Sequence, residues 1–387
     1  MGKKILSQHF ALMVAAFCSI ALVAQTPTPS PPATMPLPKI DYSESVPFEP
    51  EVFVPAKDTK KNNNNPKAQK PDKEKRKADP DPFPTNKTAN TDGLLTIPVS
   101  IFVSSGGILS GLSRGDIKVF IGDEEQTIVS MDVDKPLNLV LLLDVSPSTD
   151  GRIAEIKNIA THLVASLRPD DKIMVVDFAQ NLKILTDFTT DREAIAKAIG
   201  GSKMDDGTAI YNAMSGLFRK KLSLLAGPSS IVVLSDGIDT VSKKADYLSS
   251  IVDAERGNTS IFPVFFDTVN DPARPKVTGN LPPGLSNLIL GGIRVRQAVP
   301  TKEERAVGVL YLNQLTKLSG GRAIAFAPSS SNVTSISANL ALWLKGQFFV
   351  TVKPSISVKS DGRLPVRVRV NRPNLTVLAK GSYFSGD

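Results

Sequence analysis

The sequence has very little of the residue types that thiol and general-base chemistry require. Its 387 residues include one cysteine, Cys18, and two histidines, His9 and His162. A single thiol forms no intramolecular disulfide, and a chain this long buries a core without one. A Ser-His-Asp hydrolase needs a histidine beside its nucleophile. Because His9 lies in the apolar leader and His162 lies inside a predicted helix, the sequence does not favour an enzyme.

Signals for phosphate and nucleic-acid binding are also missing. No Gly-x-x-x-x-Gly-Lys phosphate loop occurs. The formal net charge is +8, but residues 56–90 alone carry ten Lys or Arg against five Asp or Glu. The basic character therefore belongs to a linker and not to a folded surface, which argues against nucleic acid as a partner.

The first 91 residues have the composition of an export signal followed by a spacer. Two lysines precede an apolar run within residues 1–24, which is the layout of a secretory signal peptide, and its retention as an uncleaved anchor stays open. Residues 25–91 are rich in Pro, Lys and Asn, and we expect them to be a disordered linker. Within them, Ser43 to Val54 is a candidate isolated strand, and the basic run 73–77 is a candidate contact for the envelope or a membrane surface.

The rest of the chain divides by pattern into a central α/β body and two flanking β segments. Residues 92–135 alternate apolar and polar positions between turn signals, which predicts β-hairpins. Residues 136–345 alternate strand and helix patterns, which predicts an α/β domain, and residues 268–300 interrupt it as an insertion. We expect the C-terminal strands in 346–387 to pack with the lead-in segment as one small β module.

One stretch of the α/β domain carries candidate chemistry. The apolar run that ends at Leu143 predicts a strand buried on both faces, and Asp144, Ser146 and Ser148 follow it directly. The spacing of apolar residues from Asp150 to Leu167 predicts a helix next. Asp144 and the two serines therefore lie at the carboxyl end of a buried strand, where open α/β sheets bind ligands.

Carboxylate and hydroxyl oxygens suit a hard cation such as Mg²⁺, which prefers oxygen ligands and keeps several waters. One acid with two neutral hydroxyls supplies little negative charge, so a bound ion would accept a further acidic ligand. The alternative is that Asp144 caps the following helix and that Ser146 and Ser148 are ordinary turn residues.

The Asp-x-Ser-x-Ser stretch resembles the metal-ion-dependent adhesion site of von Willebrand factor type A domains. Two further elements of that family follow in order, Asp205-Asp206-Gly207-Thr208 and Ser235-Asp236-Gly237. The resemblance implies that Asp144, Ser146, Ser148, Thr208 and Asp236 bind a divalent metal ion. It also implies a doubly wound, mostly parallel, Rossmann-like sheet, with Leu182 to Phe188 as an antiparallel edge strand. Pro147, where the family more often has Gly, departs from the pattern and fixes φ near −65°.

Residues 92 to 384 resemble, more narrowly, the exported von Willebrand factor A-related proteins of Acidobacteria, whose biochemical role is poorly defined. Four polar residues near the predicted site are candidates for supporting roles. Asp205 and Asp206 are expected to satisfy a turn or to contact the metal ligands. Asp239 and Thr240 are expected to cap the following helix, which the pattern begins at Lys243, and to hold the loop.

The resemblance implies an exported binding protein, not an enzyme. We expect Mg²⁺, or Mn²⁺ or Ca²⁺, to bind an Asp or Glu of a protein partner, and the protein to be secreted, periplasmic or held at the cell envelope. The alternative is a structural or assembly scaffold of the envelope, in which the metal site is only stabilising. The oligomeric state is left open.

Overall fold

A computed structural model of the chain describes residues 42–46, 94–109, 111–133, 135–225, 227, 229–269, 300–326, 333–355 and 362–384. The predicted signal peptide, 1–24, lies outside these residues, and so does almost all of the predicted insertion, 268–300. No helix in the described ranges is both long enough and apolar enough to cross a membrane.

The described residues form strands and helices in the following order. The strands are β1 (Ser43–Glu44), β2 (Leu95–Val103), β3 (Ile117–Ile121), β4 (Glu124–Asp132), β5 (Asn138–Asp144), β6 (Lys172–Phe178), β7 (Leu182–Thr189), β8 (Ser229–Ser235), β9 (Thr259–Phe266), β10 (Ile324–Phe326), β11 (Phe348–Lys353), β12 (Arg363–Val370), β13 (Leu375–Ala379) and β14 (Ser382–Phe384). The helices are α1 (Ile153–Ser166), α2 (Arg192–Gly201), α3 (Ile210–Lys220), α4 (Tyr247–Arg256), α5 (Lys302–Ser319) and α6 (Val333–Lys345).

The central body is a six-stranded sheet with the order β10-β9-β8-β5-β6-β7. All neighbours pair in parallel except β7, which runs antiparallel to β6 at the edge. Side chains of β5 alternate between two apolar layers, because successive residues of a strand point to opposite faces. One layer contains α1, α2 and α6, and the other contains α3, α4 and α5. The predicted doubly wound, mostly parallel α/β fold is confirmed, including its antiparallel edge strand.

A second sheet is built from strands that precede and follow this body. Its order is β1-β12-β3-β4-β11-β2-β13, with β14 paired to β12. Strand β11 therefore lies between β2 and β4, so segments more than 200 residues apart in sequence share one core. Strand β1 pairs with β12, so Ser43–Glu44 is a strand within the predicted linker.

Several helices begin or end away from the positions that the pattern predicts. Residues Pro147–Arg152 form a 3-10 helix, so α1 begins at Ile153 and not at Asp150. Proline fits the first turn of such a helix because its missing N–H has no intrahelical acceptor there. Helix α4 begins at Tyr247 and not at Lys243. Asp246 caps this helix in a capping box: its Oδ1 accepts from the N–H of Ser249, and its own N–H donates to Oγ of Ser249.

Helix α5 packs directly on the backbone that follows β8. A Cβ atom added to Gly308 would lie 2.7 Å from the carbonyl oxygen of Asp236 and 2.9 Å from the carbonyl carbon of Gly237. These distances leave no room for a methyl group, so a glycine is needed for the helix to approach the loop that carries Asp236.

We expect Gly308→Ala to destabilise the protein, although alanine favours an isolated helix by about 1 kcal/mol over glycine. The clash with the Asp236 loop would outweigh that gain and lower the midpoint of urea unfolding. Gly216→Ala in α3 is the matched control, because nothing lies within 4 Å of its added Cβ. This control should raise the midpoint. A stabilised Gly308→Ala variant would contradict the close contact between α5 and the loop.

Candidate metal centre

The predicted site residues occupy loops at the carboxyl edge of the six-stranded sheet. Asp144 is the last residue of β5, and Asp236 directly follows β8, which is the neighbour of β5. Thr208 lies in the loop that leads into α3. The three side chains are almost fully buried, with exposures of 0%, 1% and 2% for Asp144, Asp236 and Thr208. Parallel pairing places the ends of β5 and β8 at one edge, which brings the two acids near each other.

Both carboxylate oxygens of Asp144 accept hydrogen bonds. The backbone N–H of Ser146 donates to Oδ1 at 3.0 Å, and the hydroxyl of Ser235 donates to Oδ2 at 2.5 Å. The hydroxyls of Ser146 and Ser148 lie 3.1 Å apart. Thr149 donates from Oγ1 to the carbonyls of Asp144 and Ser146 and so fixes the turn. Asp144 therefore stabilises the turn that follows it, through the N–H of Ser146. It does not cap α1, which begins without a side-chain cap.

The buried acids oppose each other electrostatically. Burial, and after it the nearby carboxylate of Asp236, raise the pKa of Asp144 to about 7, although hydrogen bonds from Ser146 and Ser235 act in the opposite direction. Among the described side chains, no Lys or Arg contributes to this shift of the pKa. A second acid near a buried acid disfavours ionisation of both unless a cation is present.

The loop of Thr208 is fastened to the loop after Asp236 through backbone contacts. The N–H of Thr208 donates to Oγ1 of Thr240 at 2.9 Å, and the N–H of Thr240 donates to the carbonyl of Thr208 at 2.8 Å. The Thr208 loop is also joined to the loop that follows β5, because the N–H of Asp205 donates to the carbonyl of Val145 at 2.9 Å. These bonds join the three loops that contain the predicted ligands.

The acids beside the site have structural partners. Oδ1 of Asp205 accepts from the N–H of Asp206 at 2.8 Å, so Asp205 closes a turn. Asp239 was expected to cap the following helix, which is wrong because Asp246 caps α4. Asp239 instead accepts from Ser242 and from the N–H of Tyr211 in the first turn of α3. The pattern missed this role because α3 precedes Asp239 in sequence and meets it only in the folded chain.

The donor set suits a hard divalent cation. Asp144, Asp236, Ser146, Ser148 and Thr208 supply only carboxylate and hydroxyl oxygens, which Mg²⁺, Mn²⁺ and Ca²⁺ accept. A dication between the two loops would also remove the repulsion that raises the pKa of Asp144. In the part of the chain that the structure describes, no three His, Cys, Asp or Glu side chains group closely enough to hold a metal. The assignment of these five residues as ligands stays a prediction.

Two buried hydroxyls in this region were missed by the sequence reasoning. Ser235 donates to Asp144, and Thr268 donates from Oγ1 to Oδ2 of Asp236 at 2.6 Å. Both residues lie at carboxyl ends of parallel strands, β8 and β9. Asp144 was singled out because ligands bind at the carboxyl ends of parallel strands, and the same reasoning applies to Thr268. The sequence pattern instead assigns Thr268 to the start of the insertion.

Comparison with known families agrees with this geometry. Residues 139–238, which run from β5 to the loop after β8, match a family model described as von Willebrand factor type A domain. The chain contains a von Willebrand factor type A domain. The matched part of this A domain includes all five predicted ligands. No curated protein matches the chain.

Solved structures similar to the chain share low sequence identity with it. An aerotolerance-related membrane protein from Bacteroides fragilis is 17% identical, over 54% of this chain and 98% of that one, with a TM-score of 0.37. A von Willebrand factor type A protein from Catenulispora acidiphila is 11% identical, over 70% of this chain and 73% of that one, with a TM-score of 0.40. A third structure is proximal thread matrix protein 1 from the mussel byssus with a zinc-occupied MIDAS motif. It is 13% identical, over 59% of this chain and 50% of that one, with a TM-score of 0.39.

The pKa of Asp144 predicts how the stability of the metal-free protein depends on pH. The folded state keeps the proton up to about pH 7, whereas the unfolded chain releases it near 3.8. The folded state therefore binds more protons in this window, so its free energy of unfolding falls as pH rises from about 4 to 7. We expect Asp144→Asn to flatten this slope in urea titrations with chelator. An unchanged slope in Asp144→Asn would contradict the raised pKa.

Metal binding should be linked to the same proton. Because Mg²⁺ favours the ionised carboxylate, its binding near pH 6 should release about one proton, and less at pH 8. Calorimetric titration in two buffers with different ionisation enthalpies measures this number. Release of the same number of protons at both pH values would contradict the linkage.

Proposed function

We propose that this chain is an exported adhesion protein, whose A domain uses a divalent cation to bind an acidic side chain of a protein partner. Asp144, Ser146, Ser148, Thr208 and Asp236 would hold the ion, and an Asp or Glu of the partner would complete its coordination. The observation that carries the proposal is the pair of buried carboxylates, Asp144 and Asp236, beside buried hydroxyls. Within the described ranges of the chain, no Lys or Arg contributes to the pKa shift of Asp144.

The charge of the site supports a partner that brings its own acid. Two carboxylates and three neutral hydroxyls surround a bound dication with no excess of negative charge, and some of its positions are filled only by water. A bound ion therefore keeps affinity for another hard, negatively charged oxygen, which an Asp or Glu supplies. Mg²⁺ is the proposed ion because it prefers few carboxylates and retains waters that a ligand can replace, and Mn²⁺ and Ca²⁺ are the alternatives.

Binding is favoured over catalysis by the position of the one histidine outside the leader. His162 is exposed on α1, with its neighbour Thr161 also exposed and Leu163 turned into the core. The imidazole of His162 is thus exposed to solvent, whereas the carboxylates of Asp144 and Asp236 are buried, so His162 is not offered as their base. The proposal therefore assigns no reaction to the site.

The export part of the proposal rests on the sequence. Residues 1–24 have the layout of a secretory signal peptide, and the basic linker could contact anionic envelope polymers. The resemblance of residues 92 to 384 to the exported A-related proteins of Acidobacteria is consistent with a location at the envelope or outside the cell.

We expect Mg²⁺ to bind the wild-type protein and not Asp144→Ala. Calorimetric titration after chelator treatment measures the affinity, and unfolding measures the linked stability. At about a hundred times the Kd, Mg²⁺ should raise the wild-type free energy of unfolding by about 2.7 kcal/mol. Asp170→Ala is the control, because Asp170 is an exposed acid just before β6, at the opposite edge of the sheet. Equal affinity in wild type and Asp144→Ala would refute the metal site.

Partner binding is tested separately from metal binding. Capture of envelope proteins by the wild-type chain should be lost with chelator, restored by Mg²⁺, and absent for Asp144→Ala. Retention of the same partners after chelation, together with a lower melting temperature, would instead support the scaffold function, in which the metal only stabilises the fold.

A further inference from the structure

Thr268 lies two residues beyond the end of β9, and its hydroxyl reaches the proposed metal site. Its Oγ1 donates to Oδ2 of Asp236 at 2.6 Å, and its side chain is buried, with 2% exposure. The sheet order explains the contact, because β9 is the neighbour of β8 and ends at the same edge. A residue 32 positions further along the chain is thereby placed against the acid that follows β8.

The two carboxylates proposed to bind the metal, those of Asp144 and Asp236, accept hydrogen bonds in the same arrangement. Asp144 accepts one hydrogen bond from the N–H of Ser146, two residues later, and one from the hydroxyl of Ser235 on the neighbouring strand. Asp236 accepts one from the N–H of Ile238, two residues later, at 3.1 Å, and one from the hydroxyl of Thr268 beyond the next strand. Both carboxylates therefore accept from the N–H of the residue two positions later and from a hydroxyl at the end of an adjacent strand.

Thr268 is itself fixed by contacts that do not involve the proposed metal ligands. Its N–H donates to the carbonyl of Phe266 at 3.0 Å. The preceding residue, Asp267, accepts two hydrogen bonds from the guanidinium of Arg305 on α5, at 2.9 and 2.7 Å. This ion pair joins the end of β9 to α5, so the position of Thr268 is set by the frame of the domain.

We propose that Thr268 is a positioning residue of the metal site, which orients the carboxylate of Asp236 for the cation. The inference rests on the proposed function, because it assumes that Asp236 serves a bound ion. Hydrogen-bond donors to metal-binding carboxylates fix their geometry, and loss of such a donor typically weakens metal binding by about 10- to 100-fold.

The test compares Thr268→Val, which removes the hydroxyl but keeps the shape, with Thr268→Ser, which keeps the hydroxyl. Mg²⁺ affinity is measured by calorimetry on the full chain after chelator treatment, beside wild type and Asp144→Ala. We expect affinity in Thr268→Val to be about 10- to 100-fold weaker and Thr268→Ser to be close to wild type. A purely structural role would lower the metal-free melting temperature of Thr268→Val without changing its affinity for Mg²⁺.

The outcomes separate this inference from the proposed function. If wild type binds Mg²⁺ and Asp144→Ala does not, equal affinity in wild type and Thr268→Val overturns the role of Thr268 alone. If wild type itself binds no Mg²⁺, both proposals fail. Should Thr268→Val not fold, as judged by circular dichroism, Thr268→Ala is compared with Thr268→Ser by the same criterion.

Discussion

The arrangement of this A domain depends on the burial of two carboxylates at one edge of a sheet. Asp144 and Asp236 are withdrawn from water and raise each other's cost of ionisation, as the pKa of Asp144 shows. Hydrogen bonds from Ser146 and Ser235 reduce that cost but do not cancel it. A protein keeps such a pair when a cation or a shared proton compensates the charge. The proposed metal function follows from this unbalanced charge.

The surrounding loops are built to keep the acids in place. Thr149 fastens the turn after β5, Thr240 joins the Thr208 loop to the Asp236 loop, and Gly308 lets α5 approach the Asp236 backbone. These contacts come from different elements of the domain. The three loops are therefore held by hydrogen bonds and close packing, which limits how far the site can distort.

Errors of the sequence reasoning lie where the folded chain supplies the partner. The sequence pattern predicts that α4 begins at Lys243, but the capping box at Asp246 sets the boundary. Asp239 was expected to cap the helix that follows it in sequence, whereas it contacts the first turn of α3. Local pattern has no information about an element that approaches from elsewhere in the chain.

What the sequence determined by itself is the α/β class, the buried β5 strand and the identity of the acids and hydroxyls at its end. Strand and helix periodicities are local, and the edge rule for parallel sheets needs only the position of each polar residue after its strand. Only the tertiary structure decided that Thr268 contacts Asp236 and that strands before and after the domain share one sheet. Both depend on which strands become neighbours, and long-range pairing is fixed by the packing of the whole chain.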